Sequence, residues 1–181
     1  AKMRLSLKDA AIVAPLLAQS NQTPTSPFAY YDRLLGLITW TPKVTPLRYV
    51  SGCCLLIRSD LNNLQLFDES FFFYGEDVML GFETEKNNIK VHECSEASAL
   101  HATSTSSKNG SIFYEYHINR SHWLLAKKLA RNKLELSMFI LARCLTLPAR
   151  AFVRSLRNRS LVAWHGLFAA TLDVARGRCR N

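Results

Sequence analysis

The segment LFDESFFFYGEDVMLGF, residues 66–82, places four consecutive aromatic side chains shortly before two acids. The acids are Glu76 and Asp77, and a helical pattern begins at them. They therefore fall in the first helical turn, where the helix dipole stabilises negative charge. A carboxylate at that position, shielded from water by an aromatic wall, suits a general base that removes a proton from a hydroxyl group. A helix cap with an acidic first turn explains the same spacing, so spacing alone leaves both roles open.

The residues on either side of this segment predict a mixed α/β chain. A buried strand is predicted in DAAIVAPLLA (9–18), and a second strand begins near Tyr49 and turns helical at the Ser-Asp pair that follows it. Four prolines between residues 21 and 46 predict a long connection that contains one short helix. The segments IKVHE and ASALHA predict two short strands around a turn, and TSTSSKNGS (103–111) predicts a flexible polar loop.

The last third of the chain is predicted to be helical and is strongly basic. Residues 120–181 hold 13 lysines and arginines and two acids, whereas residues 1–119 hold 10 basic residues and 12 acids. Helix breaks are predicted near Pro148 and around RNRS (157–160). Charged residues interrupt the longest apolar stretch, so no membrane-spanning helix is predicted there. Arginines that alternate with large apolar residues are typical of helices lying in a membrane interface, and the alternative is a solvated basic face packed on its own domain.

Composition restricts the class of protein further. The chain of 181 residues fits one domain or part of a larger protein, and it shows no secretory signal. Its five cysteines are scattered and form no CxxC pair, which indicates reduced thiols in a cytosolic protein. The basic tail lacks aromatic residues spaced for base stacking and any common nucleic-acid-binding signature, so no nucleic-acid partner is expected.

Four motifs together resemble the second half of family 2 glycosyltransferases of the GT-A type, above all the rhamnosyltransferase-like members. The motifs are SGCCLLIRSD, LFDESFFFYGEDVMLGF, IKVHECSEASALHATSTSS and YHINRSHWLLAKK, and the match covers about residues 9–130. The resemblance implies an α/β fold, with the acceptor-side, catalytic-base part of a GT-A Rossmann-like domain in residues 1–130. A basic amphipathic helical tail, residues 131–181, would follow it and associate with a membrane.

The resemblance also implies roles for individual residues. Asp77 would be the general base that activates the acceptor hydroxyl, with Glu76 as its partner. His101 matches a histidine that in relatives reaches the metal on the donor diphosphate, although a lone histidine is more often structural. Asp68 and Glu69 would brace the loop before the acids. The donor and acceptor pocket would include Gly52, Cys53, Phe73, Tyr74 and Arg120, and Tyr116 belongs to the same family element as Arg120.

Two elements of the family pattern are missing from these residues. The chain has no Asp-x-Asp motif, which in the family holds Mg²⁺ or Mn²⁺ against the donor diphosphate, and no early βαβ unit. Met79 also stands where the family carries a further acid. We therefore expect the nucleotide-binding half, and most of the divalent metal site, to lie outside this chain.

The resemblance implies an inverting enzyme of bacterial surface glycan synthesis. It would transfer a sugar from a nucleotide-sugar to a polysaccharide or polyprenyl-linked acceptor at the cytoplasmic face of the inner membrane. The alternatives are a catalytically inert half that keeps only acceptor and membrane binding, and a basic nucleic-acid-binding module.

Overall fold

The computed structural model describes residues 2–18, 23–39, 47–63, 65–101 and 108–178. Short strands and helices alternate in the first part and three helices follow, so the chain is mixed α/β, as predicted. The helices are α1 (Lys2–Ser6), α2 (Glu76–Lys86), α3 (Ile112–Leu129), α4 (Lys133–Asn158) and α5 (Val162–Ala175). The strands are β1 (Ile12–Ala18), β2 (Phe28–Tyr31), β3 (Ile38–Thr39), β4 (Leu47–Val50), β5 (Leu56–Ile57) and β6 (Val91–Leu100), and a 3-10 helix covers Ser59–Asn63. A GT-A Rossmann-like arrangement stays a prediction.

Packing divides the chain into two compact units. The first unit comprises Ala1–Tyr31, Ile38–Asp68 and Glu76–Thr103. The second comprises Asp32–Leu37, Glu69–Gly75 and Ser104–Asn181. Helix α3 thus belongs to the same unit as α4 and α5. The division into domains at residue 130 stays a prediction about the organisation of the protein.

The first unit contains two three-stranded sheets. In one sheet β1 is central and pairs antiparallel with β5 and parallel with β6. In the other β2 is central and pairs antiparallel with β3 and β4. The first four residues of β1 are buried on both faces. Ile12 and Ala14 pack with Val50, Leu61 and Leu80, while Val13 packs with Ala10 and Cys94. A strand buried on both faces has a continuous apolar run in its sequence, so β1 could be predicted from its residues.

The prediction of a short helix between residues 21 and 46 was wrong for the residues described there. The segment instead forms the antiparallel pair β2 and β3, in which Tyr30 lies opposite Thr39. The turn between them is stabilised by Asp32, whose carboxylate accepts a hydrogen bond from the Leu35 N–H at 2.8 Å. Gly36 adopts a φ of +70°, which glycine reaches without steric cost. The side-chain hydrogen bond of Asp32 and the positive φ of Gly36 favour a turn here, and a turn allows the two strands to pair.

The prediction of two short strands in residues 89–102 was also wrong, because β6 runs unbroken through the predicted turn. Its register against β1 shifts: Pro15 lies opposite Cys94, but the next residue, Leu16, lies opposite Ser98. Three residues of β6 therefore lie between these two pairs without an opposite residue in β1. This irregularity occurs beside Pro15, which has no N–H to donate to a neighbouring strand. The loop predicted for residues 103–111 lies outside the described residues except for 108–111.

The second unit contains the three long helices. Side-chain caps begin two of them: Ser111 Oγ accepts from the Tyr114 N–H at 3.1 Å, and Asn132 Oδ1 accepts from the Glu135 N–H at 2.8 Å. The break predicted around residues 157–160 is confirmed, since α4 ends there in a left-handed residue, Arg159. The break predicted near Pro148 was wrong, and α4 continues through that proline.

Tertiary packing explains why the proline does not end α4. Leu147 and Ala151, on either side of Pro148, are buried with Ala163 and Leu167 of α5. Proline removes one helical hydrogen bond and crowds the preceding turn. Burial of the neighbouring residues offsets that cost.

Helix α2 packs so closely on β4 that glycine is required at the contact. A Cβ atom at Gly81 would lie 2.5 Å from Tyr49 Cβ and 2.8 Å from the Arg48 carbonyl oxygen. We expect Gly81→Ala to lower the free energy of unfolding by about 1–3 kcal/mol, as other overpacked cores do. Urea unfolding measures the effect. Gly52→Ala is the matched control, because its Cβ would meet only Asp77 Cβ at 3.8 Å. Equal unfolding midpoints for the two variants would contradict this packing.

Candidate active site

Asp77 lies in the first turn of α2, as the sequence predicts. Its Oδ1 accepts a hydrogen bond from the Val78 N–H at 2.8 Å. Part of the residue remains exposed, but protein atoms surround much of the carboxyl group. This burial, reinforced by the negative charge of Glu76, raises the pKa of Asp77 from 3.8 to about 7. The carboxyl group therefore exchanges its proton near neutral pH, which is the property a general base needs.

Glu76 supplies a second carboxylate directly beside this group. Its Oε2 is buried and accepts no hydrogen bond from the residues that the structure describes. A like charge so close disfavours ionisation of Asp77. The negative charge of Glu76 therefore adds to burial in raising the pKa of Asp77.

Tyr49 of β4 is a neighbour of Asp77 that the sequence analysis did not identify as a site residue. The residue is 6% exposed. Burial, followed by the charge of Asp77 and the neighbouring Tyr31, raises the pKa of Tyr49 above its ordinary value. The phenol consequently stays protonated beside the acid. Tyr49 is a buried residue of β4, but nothing local in the sequence indicates that it lies close to Asp77, which is 28 residues further along the chain.

Gly52 lies beside Asp77, although not in the strand where the sequence places it. It occupies the turn between β4 and β5. A Cβ atom added there would lie 3.8 Å from Asp77 Cβ and would meet no other described atom within 4 Å. Cys53 follows in the same turn, where it is exposed and has a free thiol. The structure thus leaves space over the acid where this turn passes it.

We expect Gly52→Leu to fill that space and lower activity that depends on Asp77 by about tenfold or more, because a misplaced substrate loses the benefit of orientation. The thermal midpoint should change little, since the added side chain faces open space. Gly52→Ala, which adds one methyl group at ordinary contact distance, should retain activity within a few-fold. Measurement of transfer rates for both variants tests the geometry. Equal rates for the leucine and alanine variants would show that substrate does not pass this turn.

The aromatic run before the acids belongs to the second unit. Helix α3 holds this loop: Arg120 Nη1 donates to the Ser70 carbonyl at 2.9 Å, and Ser121 Oγ contacts the Phe73 and Tyr74 carbonyls at 3.0 and 2.5 Å. Arg120 is 2% exposed, so the structure places it as a brace inside this unit. Tyr116, from the same helix, donates from its hydroxyl to Asp173 Oδ2 at 2.9 Å.

The aromatic side chains of this loop pack mainly against α3. Phe73 lies 4.3 Å from Tyr74 and 5.5 Å from Phe113, measured between ring centroids. Phe71 is buried, whereas Phe72 is 56% exposed and lies 5.2 Å from the His117 ring. The run therefore combines one buried ring, Phe71, with one exposed ring, Phe72, and two that are half-buried.

His101 follows the end of β6, where its backbone N–H donates to the Ala18 carbonyl oxygen at 2.8 Å. Within the described ranges, no three histidine, cysteine, aspartate or glutamate side chains come together in a way that could hold a metal ion. The metal role of His101 stays a prediction.

One comparison with curated proteins relates this chain to an enzyme class. A low-salt glycan biosynthesis hexosyltransferase of Haloferax volcanii is 24% identical over 118 residues. The match covers 62% of this chain and 38% of that protein, so the chain spans well under half the length of this relative. No family model matches the chain, and no solved structure matches it. The similarity supports a relationship to glycosyltransferases as a class.

Proposed function

We propose that this chain is the acceptor side of an inverting glycosyltransferase in which Asp77 is the general base. The observation that supports this most is the Asp77 carboxyl group itself, whose pKa is raised to about 7 by burial and by Glu76. A base with a pKa near the working pH is both deprotonated often enough and basic enough to accept a proton. The similarity to a hexosyltransferase supports the same class of reaction.

The reaction is a single displacement. An Asp77 oxygen accepts the proton of the acceptor hydroxyl while that oxygen forms a bond to the anomeric carbon of the nucleotide-sugar. The bond from this carbon to the diphosphate oxygen breaks, and the nucleoside diphosphate leaves with the electron pair. Glu76 raises the basicity of Asp77, and the space beside Gly52 admits the acceptor. Attack opposite the leaving group inverts the configuration.

The proposed acceptor is a glycan, and the proposed place of the reaction is a membrane. The acceptor is a hydroxyl group of a polysaccharide or of a polyprenyl-linked glycan. The enzyme belongs to family 2 and takes part in the synthesis of surface glycans. It works at the cytoplasmic face of the inner membrane. Residues outside this chain supply the nucleotide-binding half and most ligands of a divalent metal. Support comes from the Haloferax volcanii relative, which is named as an enzyme of glycan biosynthesis, and from the motifs around Asp77.

The test uses the protein at its natural full length, a set of radiolabelled nucleotide-sugars, and polyprenyl-linked glycan extracted from bacterial membranes. We expect label from at least one donor to enter the lipid-linked fraction. The competing proposal is a catalytically inert half, motivated by the lack of an Asp-x-Asp motif in this sequence. Absence of transfer from every donor, together with no binding of any nucleoside diphosphate with or without Mn²⁺, would support that alternative.

A further inference from the structure

Helix α4 carries an apolar face that the described residues leave exposed. Its large side chains at intervals of three, four or seven residues lie on one side of the helix. These residues, between 49% and 73% exposed, are Leu134, Met138, Leu141, Leu145, Phe152 and Leu156. We call this set the outer face of α4. From the first residue to the last it extends about 33 Å along the helix.

The three arginines between these positions point the other way, into the second unit, and Glu135 near the start of the helix pairs with Arg131 and Arg33. Arg143 is fully buried and donates to the carbonyl oxygens of Arg33 and Leu34. Arg150 and Arg154 both donate to the buried Glu115 of α3. Arg150 and Arg154 belong to the stretch whose alternating arginines suggested contact with lipid headgroups, but these two point into the protein, as Arg143 does. The outer face is left without a charged side chain along its length.

The two ends of the outer face are basic. Lys133 lies exposed at its start, and Arg157 and Arg159 lie exposed at its end. Pairing of two copies along this face, parallel or antiparallel, would bring these cations together at each end, which disfavours a homodimer. Anionic headgroups on either side of an apolar layer complement the arrangement, since cations near such a surface are attracted to it.

By length and composition alone α4 could cross a membrane, with a mean hydropathy of 1.5 over its most apolar stretch, which differs from the sequence prediction. Core helices of soluble proteins satisfy the same criterion. Crossing would carry the inward arginines, and Glu115 with them, into hydrocarbon. A helix that lies along the surface keeps these contacts and immerses only its outer face.

We propose that the outer face of α4 docks this protein on an anionic lipid bilayer, with the helix axis parallel to the surface. The apolar side chains lie among the acyl chains, and Lys133, Arg157 and Arg159 lie at the level of the phosphates. This docking rests on the membrane location in the proposed function and names the surface that makes the contact. It requires neither Asp77 nor a sugar donor, so its failure can be distinguished from failure of the transfer reaction.

Co-sedimentation with vesicles tests the docking without any nucleotide-sugar. The whole protein is mixed with vesicles of phosphatidylcholine alone, or of equal parts phosphatidylcholine and phosphatidylglycerol. We expect binding to the anionic vesicles, and we expect Leu141→Asp with Leu145→Asp to weaken it by about tenfold or more, because two charges enter the apolar layer. Lys133→Gln with Arg157→Gln should weaken binding to anionic vesicles while leaving any binding to neutral vesicles unchanged.

Leu100→Asp is the matched control, since this leucine of β6 is 74% exposed but lies outside α4. It should bind vesicles as the parent does, and circular dichroism should show all variants folded. Equal vesicle binding by the parent and the Leu141/Leu145 variant would overturn the proposal. So would a dimer, seen by sedimentation velocity, that the same variant dissociates, or a preference for an RNA or DNA oligonucleotide over anionic vesicles at physiological salt.

Discussion

Asp77→Asn should lower the rate of sugar transfer by about 100-fold or more while the protein remains folded, because general base catalysis contributes at least that much. Asparagine has nearly the same shape and keeps an oxygen that can accept the Val78 N–H, so the start of α2 is preserved. It cannot accept the proton of the acceptor hydroxyl. Turnover at saturating donor, measured for parent and variant, gives the effect, and donor binding should be unchanged.

The stability of the same variant separates catalysis from folding. The pKa of Asp77 is raised in the folded state, so its contribution to stability is present below about pH 4 and is lost as the pH rises toward 7. The variant should therefore be at least as stable as the parent near pH 8, and the advantage should disappear in acid.

His122, which is half-buried, has the opposite pH dependence, because desolvation of its ring and then the charges of Arg143 and Arg150 lower its pKa to about 3. Its contribution is lost as the pH falls below about 6.5. The difference between variant and parent, measured as a thermal midpoint at each pH, isolates Asp77 from this background.

Asp60→Asn is the control for the activity measurement, since Asp60 is exposed and pairs with Arg58 on the surface. This change should leave transfer within a few-fold of the parent. If Asp77→Asn also stays within a few-fold, Glu76 and Asp77 are a helix cap and the proposed mechanism has to be abandoned.

The second large effect concerns stability: Glu115→Gln should lower the free energy of unfolding by about 3 kcal/mol. The Glu115 carboxylate is fully buried and accepts from Arg150 Nη1 at 2.9 Å and from Arg154 Nε at 2.5 Å. Glutamine keeps the size but removes the charge that compensates both guanidinium groups. The two arginine side chains are 23% and 17% exposed, so residual solvation limits the loss.

Urea unfolding followed by tryptophan fluorescence measures this loss, because Trp123 and Trp164 pack on the apolar cluster of the same unit. Arg131→Gln is the matched control: it also removes one partner of an arginine–glutamate pair, but Arg131 is 72% exposed. Exposed pairs contribute about 0–1 kcal/mol, so this midpoint should shift little. Similar decreases of the unfolding midpoint in the two variants would show that Glu115 and its two arginines stabilise this unit no more than an exposed ion pair does.

Sequence patterns predicted the elements whose structure depends mainly on neighbouring residues. The apolar run of β1 predicted a buried strand, and the acids at 76 and 77 predicted the start of α2. Sequence patterns did not predict features that depend on contacts between residues far apart in the chain. Pro148 does not end α4 because α5 covers its neighbours, and Glu115 meets two arginines 35 and 39 residues further along the chain.

The candidate site was likewise predicted from the sequence only in part. The acids were identified from their spacing and from the motifs around them, whereas the closeness of Tyr49 follows from the packing of α2 on β4. Arg120 was assigned to a pocket from its motif, but its burial and its bond to the Ser70 carbonyl depend on how the loop folds back on α3. Sequence spacing carries no information on such a contact, because the partners are 50 residues apart.

The most direct measurement is the titration of the Asp77 carboxyl group by carbon-13 NMR in the protein labelled at aspartate, with Asp77→Asn used to assign the resonance. It requires neither donor nor acceptor. A pKa near 7, in agreement with burial beside Glu76, is the result we predict for a general base that works at neutral pH. A pKa near 4, the ordinary value for an exposed aspartate, would contradict the central role of Asp77.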